Sequence, residues 1–244
     1  MGNPVKGNPV MQVKALLFDT FGTVVDWRAS VVRELSQLGA AQGVSADWAA
    51  FADRWRGQYQ PQMARVRSGT RDWVKLDTLH RETLDQLLPE FGLVGLDEAQ
   101  RQRLNTVWHR LKPWPDAVAG LTRLKRRFVI GPLSNGNLAL LTHLAKHAGL
   151  PWDAILSTEL TRSYKPQPQA YLGACALLDL APAEVMMCAA HNDDLEAARA
   201  LGLKTCFFAR TTEHGPDQRT DLAPSQAWDV LASDIADLAQ QLGA

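Results

Sequence analysis

The sequence has no excess of charge of either sign: 26 lysines and arginines balance 26 aspartates and glutamates over 244 residues. Without a basic field there is nothing to collect nucleic acid or anionic lipid, so neither is an expected partner. Cysteine is scarce too, with three residues, Cys175, Cys188 and Cys206, and no C-x-x-C pair. That excludes a disulfide framework and a thiolate zinc site, and it points to a reducing, cytoplasmic setting. No run approaches the roughly 18 apolar residues that span a bilayer, and the opening MGNPVKGNPV has no apolar stretch of the signal-peptide kind. Residues 1–11 read as a flexible leader. The 46% hydrophobic and 21% charged fractions are those of an ordinary globular chain, long enough for one elaborated α/β domain or a core with a smaller lobe.

What is present begins with Val13-Lys14-Ala15-Leu16-Leu17-Phe18, an apolar run that stops at Asp19 and a glycine turn, the pattern of a buried strand. Similar runs recur at Phe128 to Leu133, Val185 to Cys188 and Thr205 to Phe208, with a weaker one at Asp153 to Leu156. Between them lie helical patterns: Ala139, Leu140, Leu144 and Leu150, then Tyr171, Leu172, Leu177 and Leu178, then Leu195, Ala198 and Leu201. Alternating strands and helices predict a Rossmann-like parallel sheet flanked by helices. Residues 28–113 differ, because apolar positions recur at helical spacing through Trp48, Phe51 and Trp55, then Trp73, Leu76, Leu79, Leu84 and Leu87. The expected organisation is an α/β core of residues 12–27 and 114–244 with a helical cap domain, 28–113, inserted. Ser45 is the expected N-cap of one cap helix, Asp116 opens the next core helix, and the tail from Ser233 reads as a packing helix.

In open parallel sheets, ligands bind outside the carboxyl ends of the strands. Those ends carry Asp19-Thr20-Phe21-Gly22-Thr23, Ser134-Asn135-Gly136-Asn137 and His191-Asn192-Asp193-Asp194, with Tyr164-Lys165-Pro166 in a loop between the last two. A single such aspartate is as readily a turn or helix cap, Thr23 a cap and Tyr171 core packing. Polar strand ends recurring in this order are harder to assign to capping.

As a set, Asp19-x-Phe21-Gly22-Thr23, Ser134-Asn135-Gly136, Tyr164-Lys165-Pro166 and Asp194 with the following Ala197 to Gly202 resemble the motifs of the haloacid dehalogenase superfamily. That superfamily consists mostly of magnesium-dependent phosphatases. Its phosphatases carry a proton-donating aspartate where this chain has Phe21, and a metal-binding aspartate where it has Ala190. The remainder is similar to the type II 2-haloacid dehalogenases, which use neither metal nor cofactor. The resemblance implies Asp19 as nucleophile, Lys165 and Asp194 as catalytic partners, and Thr23 as the neighbour hydrogen-bonded to Asp19. It implies Ser134 and Asn135 against the substrate carboxylate and halide, Tyr171 in the site, and Arg56 of the pair Trp55-Arg56 reaching the leaving group, with Arg54 an alternative. Thr20 and Phe21 belong to the same substrate- and halide-binding set. A small-molecule substrate follows, and a homodimer is compatible because dimers are common in that family.

The chemistry is self-consistent. A carboxylate displacing halide from carbon forms an ester that water hydrolyses, so one difficult displacement becomes two easier steps. Halide leaves as an anion and needs no proton, while Arg56 and the Asn135 amide can stabilise the developing charge. His191 stands where better-known members carry a smaller polar residue, and is expected to tighten the halide pocket, favouring small halides and fluoroacetate. Trp27, Trp55 and Trp114 are candidates to line the pocket. The competing functions are a magnesium-dependent phosphatase, an ester-forming hydrolase acting on a non-halogenated electrophile, and a binding protein that kept the fold.

Overall fold

The structure, a computed structural model, describes residues 12–244; the expected leader at 1–11 lies outside the described residues. Its centre is strand β1 (Ala15–Phe18), with Ala15 and Leu17 packed on one face of the sheet and Leu16 and Phe18 on the other. This two-sided burial is why the strand is a continuous apolar run. Around it stand β4 (Val129–Ser134), β5 (Leu156–Ser157), β6 (Val185–Ala189), β7 (Lys204–Phe207) and β8 (Val230–Leu231), in the order β5-β4-β1-β6-β7-β8. Every pairing in this sheet is parallel. Strand order reverses beside β1, so the loops after β1, β4 and β6 open on the same crevice. Helices α6 (Ala117–Leu124), α7 (Leu138–Ala148), α8 (Pro168–Leu177), α9 (Asn192–Ala200) and α10 (Ile235–Gln241) complete the core.

After β1 the chain forms a second, two-stranded antiparallel sheet, β2 (Val25–Asp26) with β3 (Lys112–Pro113). Between these strands lie helices α1 (Trp27–Gln42), α2 (Trp48–Gly57), α3 (Tyr59–Arg67), α4 (Leu76–Glu90) and α5 (Glu98–Asn105). Their starts follow side-chain capping. Asp26 accepts from the Ala29 amide at 3.0 Å, and Asp97 forms a capping box with Gln100. The cap of α2 is Asp47, which accepts from the Ala50 amide at 2.9 Å, rather than the expected Ser45, two residues too early to reach that amide.

Polar contacts join the insertion to the core over the crevice. Asp77 at the start of α4 accepts from Asn137 Nδ2 at 3.0 Å and lies 3.1 Å from His109 Nε2. Arg67 at the end of α3 donates to the Lys165 carbonyl at 3.2 Å, and the Tyr164 hydroxyl donates to the Val74 carbonyl at 2.7 Å. Among the described residues no helix is long and apolar enough to cross a membrane.

Candidate active site

Asp19 follows β1 directly, its amide donating to the Cys188 carbonyl at 3.0 Å, so the side chain is presented at the crevice. Three groups converge on its carboxylate. Lys165 Nζ is 3.1 Å from Oδ1, Thr23 Oγ1 donates to Oδ2 at 2.8 Å, and His191 Nδ1 is 3.3 Å from Oδ2. Burial alone would raise the Asp19 carboxyl, but Lys165, then His191 and the Thr23 hydroxyl, hold it well below the usual carboxylate range. Asp19 is a buried carboxylate kept ionised.

Lys165 is 6% exposed and bridges Asp19 to Asp194, whose Oδ2 lies 2.5 Å from Nζ. Burial would drive the ammonium to lose its proton, but the two carboxylates raise it above the ordinary lysine value. Asp194 sits in the first turn of α9, where the helix N-terminus favours an acid, and also accepts from the Tyr171 hydroxyl at 2.6 Å. The Lys165 loop is fixed to the β4 loop by its amide, which donates to Asn135 Oδ1 at 2.8 Å.

A cavity of about 160 Å3 lies over this cluster, lined by Asp19, Arg56, Asn135, Lys165, Tyr171, His191 and Asp194 together with Tyr59 and Gln60 of α3 and with His214 and Asp221 from the segment after β7. It is smaller than the roughly 300 to 1,000 Å3 of sites for drug-sized ligands. Arg56 stacks its guanidinium on Tyr59, 3.8 Å from the ring centroid, and its Nε has no hydrogen-bond partner. An unsatisfied guanidinium donor beside a small cavity suits an anion.

The other singled-out residues lie behind this lining. Thr23 is fully buried and accepts from the Ala190 amide at 3.0 Å. Phe21 is buried and packs edge-on against Trp108 and Tyr59, with centroids 5.9 and 6.5 Å away. Ser134 is buried and accepts from the Gly136 amide at 3.3 Å, and the buried Thr20 hydroxyl has no partner. None of these four lines the cavity. The three tryptophan candidates do not line it either. Trp55 is buried with its indole donating to the His80 carbonyl at 2.9 Å, Trp114 donates to the Gly22 carbonyl at 2.8 Å, and Trp27 borders the adjoining depression. Each indole N–H is satisfied by folding, which turns the ring into the wall rather than the pocket.

Magnesium prefers about six oxygen ligands. Here the place between the two carboxylates is filled by the Lys165 ammonium, and Phe21 and Ala190 supply no oxygen from their side chains. The residues present do not fit that ion.

Residues 13–202 match the haloacid dehalogenase-like hydrolases. The chain belongs to this hydrolase family. A solved structure of a defluorinating L-2-haloacid dehalogenase is similar at 53% identity and a TM-score of 0.93, covering 95% of this chain and 96% of that one. A second L-2-haloacid dehalogenase structure shares 55% identity with a TM-score of 0.92, over 95% and 99% of the two chains. The (S)-2-haloacid dehalogenase 1 of Pseudomonas sp. (strain CBS-3) is 30% identical over 202 residues, 81% of this chain and 85% of its own.

Sequence reasoning missed the part of this hydrolase site contributed by residues 209–215, the loop after β7. Glu213, 1% exposed, accepts from Trp27 Nε1 at 2.9 Å and lies 2.8 Å from His191 Nε2. Arg210 places that loop by donating to both Asp116 carboxylate oxygens at 2.8 Å and to the Thr23 carbonyl at 3.0 Å. The sequence signal was weak: Arg-Thr-Thr-Glu-His-Gly has no periodicity and matches none of the motifs. Tyr59, which carries Arg56, was missed because it sits among helical apolar positions.

Proposed function

We propose that the protein is a 2-haloacid dehalogenase that needs no metal and works through an ester on Asp19. The observation that carries the reading is the Asp19 carboxylate, backed by the Lys165 ammonium and sharing a small cavity with Arg56, whose Nε has no hydrogen-bond partner. An Asp19 oxygen attacks C2 of a short 2-haloacid, the carbon–halogen bond breaks, and halide departs with the electron pair toward Arg56 and the Asn135 amide. Water then adds at the Asp19 carbonyl carbon and the 2-hydroxy acid leaves, so each turnover consumes one water and releases halide and a proton. Lys165 offsets the charge of Asp19 against that of the incoming carboxylate, and Asp194 with Tyr171 holds Lys165 in place. Thr23 orients the nucleophile, Thr20, Phe21 and Ser134 support the strand-end loops behind it, and residues 28–113 act as the cap that brings Arg56 over the site.

His191, against Asp19 at 3.3 Å, fills space beside the nucleophile and narrows the room left for a halide. That supports a preference for small halides, fluoride from fluoroacetate included, and the similarity to a defluorinating relative points the same way. Replacing His191 with Asn should shift the ratio of fluoride to chloride release toward chloride; an unchanged ratio removes His191 from halide selection. The buried free thiols of Cys175, Cys188 and Cys206 support a cytoplasmic location.

The experiment is halide release from chloroacetate, fluoroacetate and L-2-chloropropionate with EDTA present, beside an Asp19→Asn variant. Release that survives EDTA and disappears in the variant is expected. Magnesium-dependent cleavage of a phosphate ester without halide release would replace this reading with the phosphatase one.

A further inference from the structure

Both ring nitrogens of His191 face a carboxylate: Nδ1 is 3.3 Å from Asp19 Oδ2, and Nε2 is 2.8 Å from Glu213 Oε2. A neutral imidazole has one N–H, so one of those carboxylates would meet a lone pair; only the imidazolium satisfies both. The arrangement is built rather than incidental. Glu213 occupies the volume beside Gly22, where an added Cβ would come 2.0 Å from Oε1, and Gly22 adopts a φ of +87° that also favours glycine. Trp27 Nε1 donates to Oε1, which also lies 3.5 Å from His214 Nε2, leaving Oε2 for His191.

Resting on the ester mechanism above, one consequence follows for the second half of the cycle. While Asp19 is esterified it carries no charge, and Glu213 is then the carboxylate left in contact with the His191 ring. We propose that Glu213 is a positioning residue that keeps His191 a fixed imidazolium through the ester stage, so that its Nδ1–H and charge remain available when water attacks the Asp19 carbonyl. The other charged or titratable groups lining the cavity that His191 faces are Asp193, Asp194 and Tyr171 on the core helices, Lys165, His214 and Asp221 on loops, Arg56 from α2 and Tyr59 from α3. Burial would strip the His191 proton, but Glu213 and Asp19 hold the ring well above the ordinary histidine value. Burial likewise raises Glu213, and the charge and hydrogen bond of His191, with the nearby His214 and Arg56, more than reverse it.

The test has two arms. Histidine-labelled NMR of the wild-type protein, with His191 assigned by its absence in His191→Asn, should show the ring still protonated well above the ordinary histidine midpoint of about 6.5. In Glu213→Gln, kcat for halide release should fall about tenfold or more between pH 6 and pH 9, while the wild type stays level and Glu213→Asp, which keeps the charge, regains most of the loss. A purely structural role would lower activity equally at every pH. Wild-type His191 titrating near its ordinary value, or a Glu213→Gln profile parallel to the wild type, overturns the proposal. Should Glu213→Gln not fold, His191 titration in Asp19→Asn, which removes the Asp19 charge as the ester does, decides instead: a ring returned to its ordinary value overturns the proposal. Absence of halide release from the wild type would instead count against the dehalogenase reading, leaving the NMR arm to judge the ion pair.

Discussion

Replacing Lys165 with Met removes the cation between two buried carboxylates while keeping most of the side-chain volume. Its ammonium is 3.1 Å from Asp19 and 2.5 Å from Asp194. At an effective dielectric of about 20, a unit pair at the first distance is worth about 5 kcal/mol. That corresponds to between three and four pKa units, enough to carry the Asp19 carboxyl from well below the usual range into or above it. A group whose value is raised is lost as an anion when pH falls through the new value. The variant should therefore gain an acid limb in the ordinary carboxylate range, about pH 4, that the wild type lacks. At pH 7 its halide release should be slower by about a thousandfold, since the substrate carboxylate now approaches two unbalanced acids. The assay is halide release against pH under single-turnover conditions, with circular dichroism to confirm folding. A folded Lys165→Met protein within tenfold of the wild-type rate and without a new acid limb would refute the electrostatic role given to Lys165.

Arg56→Met should reduce kcat/KM for chloroacetate by about a hundredfold, because the guanidinium proposed to receive the departing halide is removed; steady-state halide release checks it, and a loss below about threefold would mean Arg56 only packs on Tyr59. Asp116→Asn tests the clamp on the Glu213 loop. Burial would raise the Asp116 carboxyl, but Arg210 holds it below its ordinary value, so its contribution to stability is full above about pH 3.9 and is lost as pH falls through the lower folded value. Urea unfolding should show the variant less stable by about 2–4 kcal/mol at pH 7, with the gap closing toward pH 2; a gap independent of pH would contradict the ion-pair explanation.

The parallel sheet was legible because β1, β4, β6 and β7 are buried on both faces and therefore read as apolar runs. The end of each strand also marks the crevice, which is why Asp19, Asn135 and His191 could be named from the chain alone. Elements held by pairing rather than by pattern were not legible. The β2–β3 pair and β8 are two residues each, too short for an alternation to register. Glu213 joins the site only because Arg210 ties its loop to Asp116, 94 residues away in sequence. The tryptophans misled for a related reason: aromatic character signals burial, and only the position of each indole N–H partner separates a wall from a lining.

The central claim is that Asp19 itself attacks the substrate. A single turnover in 18O-water, with enzyme in excess over chloroacetate, tests it most directly. The account predicts glycolate without 18O and a peptide containing Asp19 that has gained it, because water enters at the aspartyl carbonyl. Glycolate labelled in that first turnover, with Asp19 unlabelled, would show direct attack by water and contradict the account.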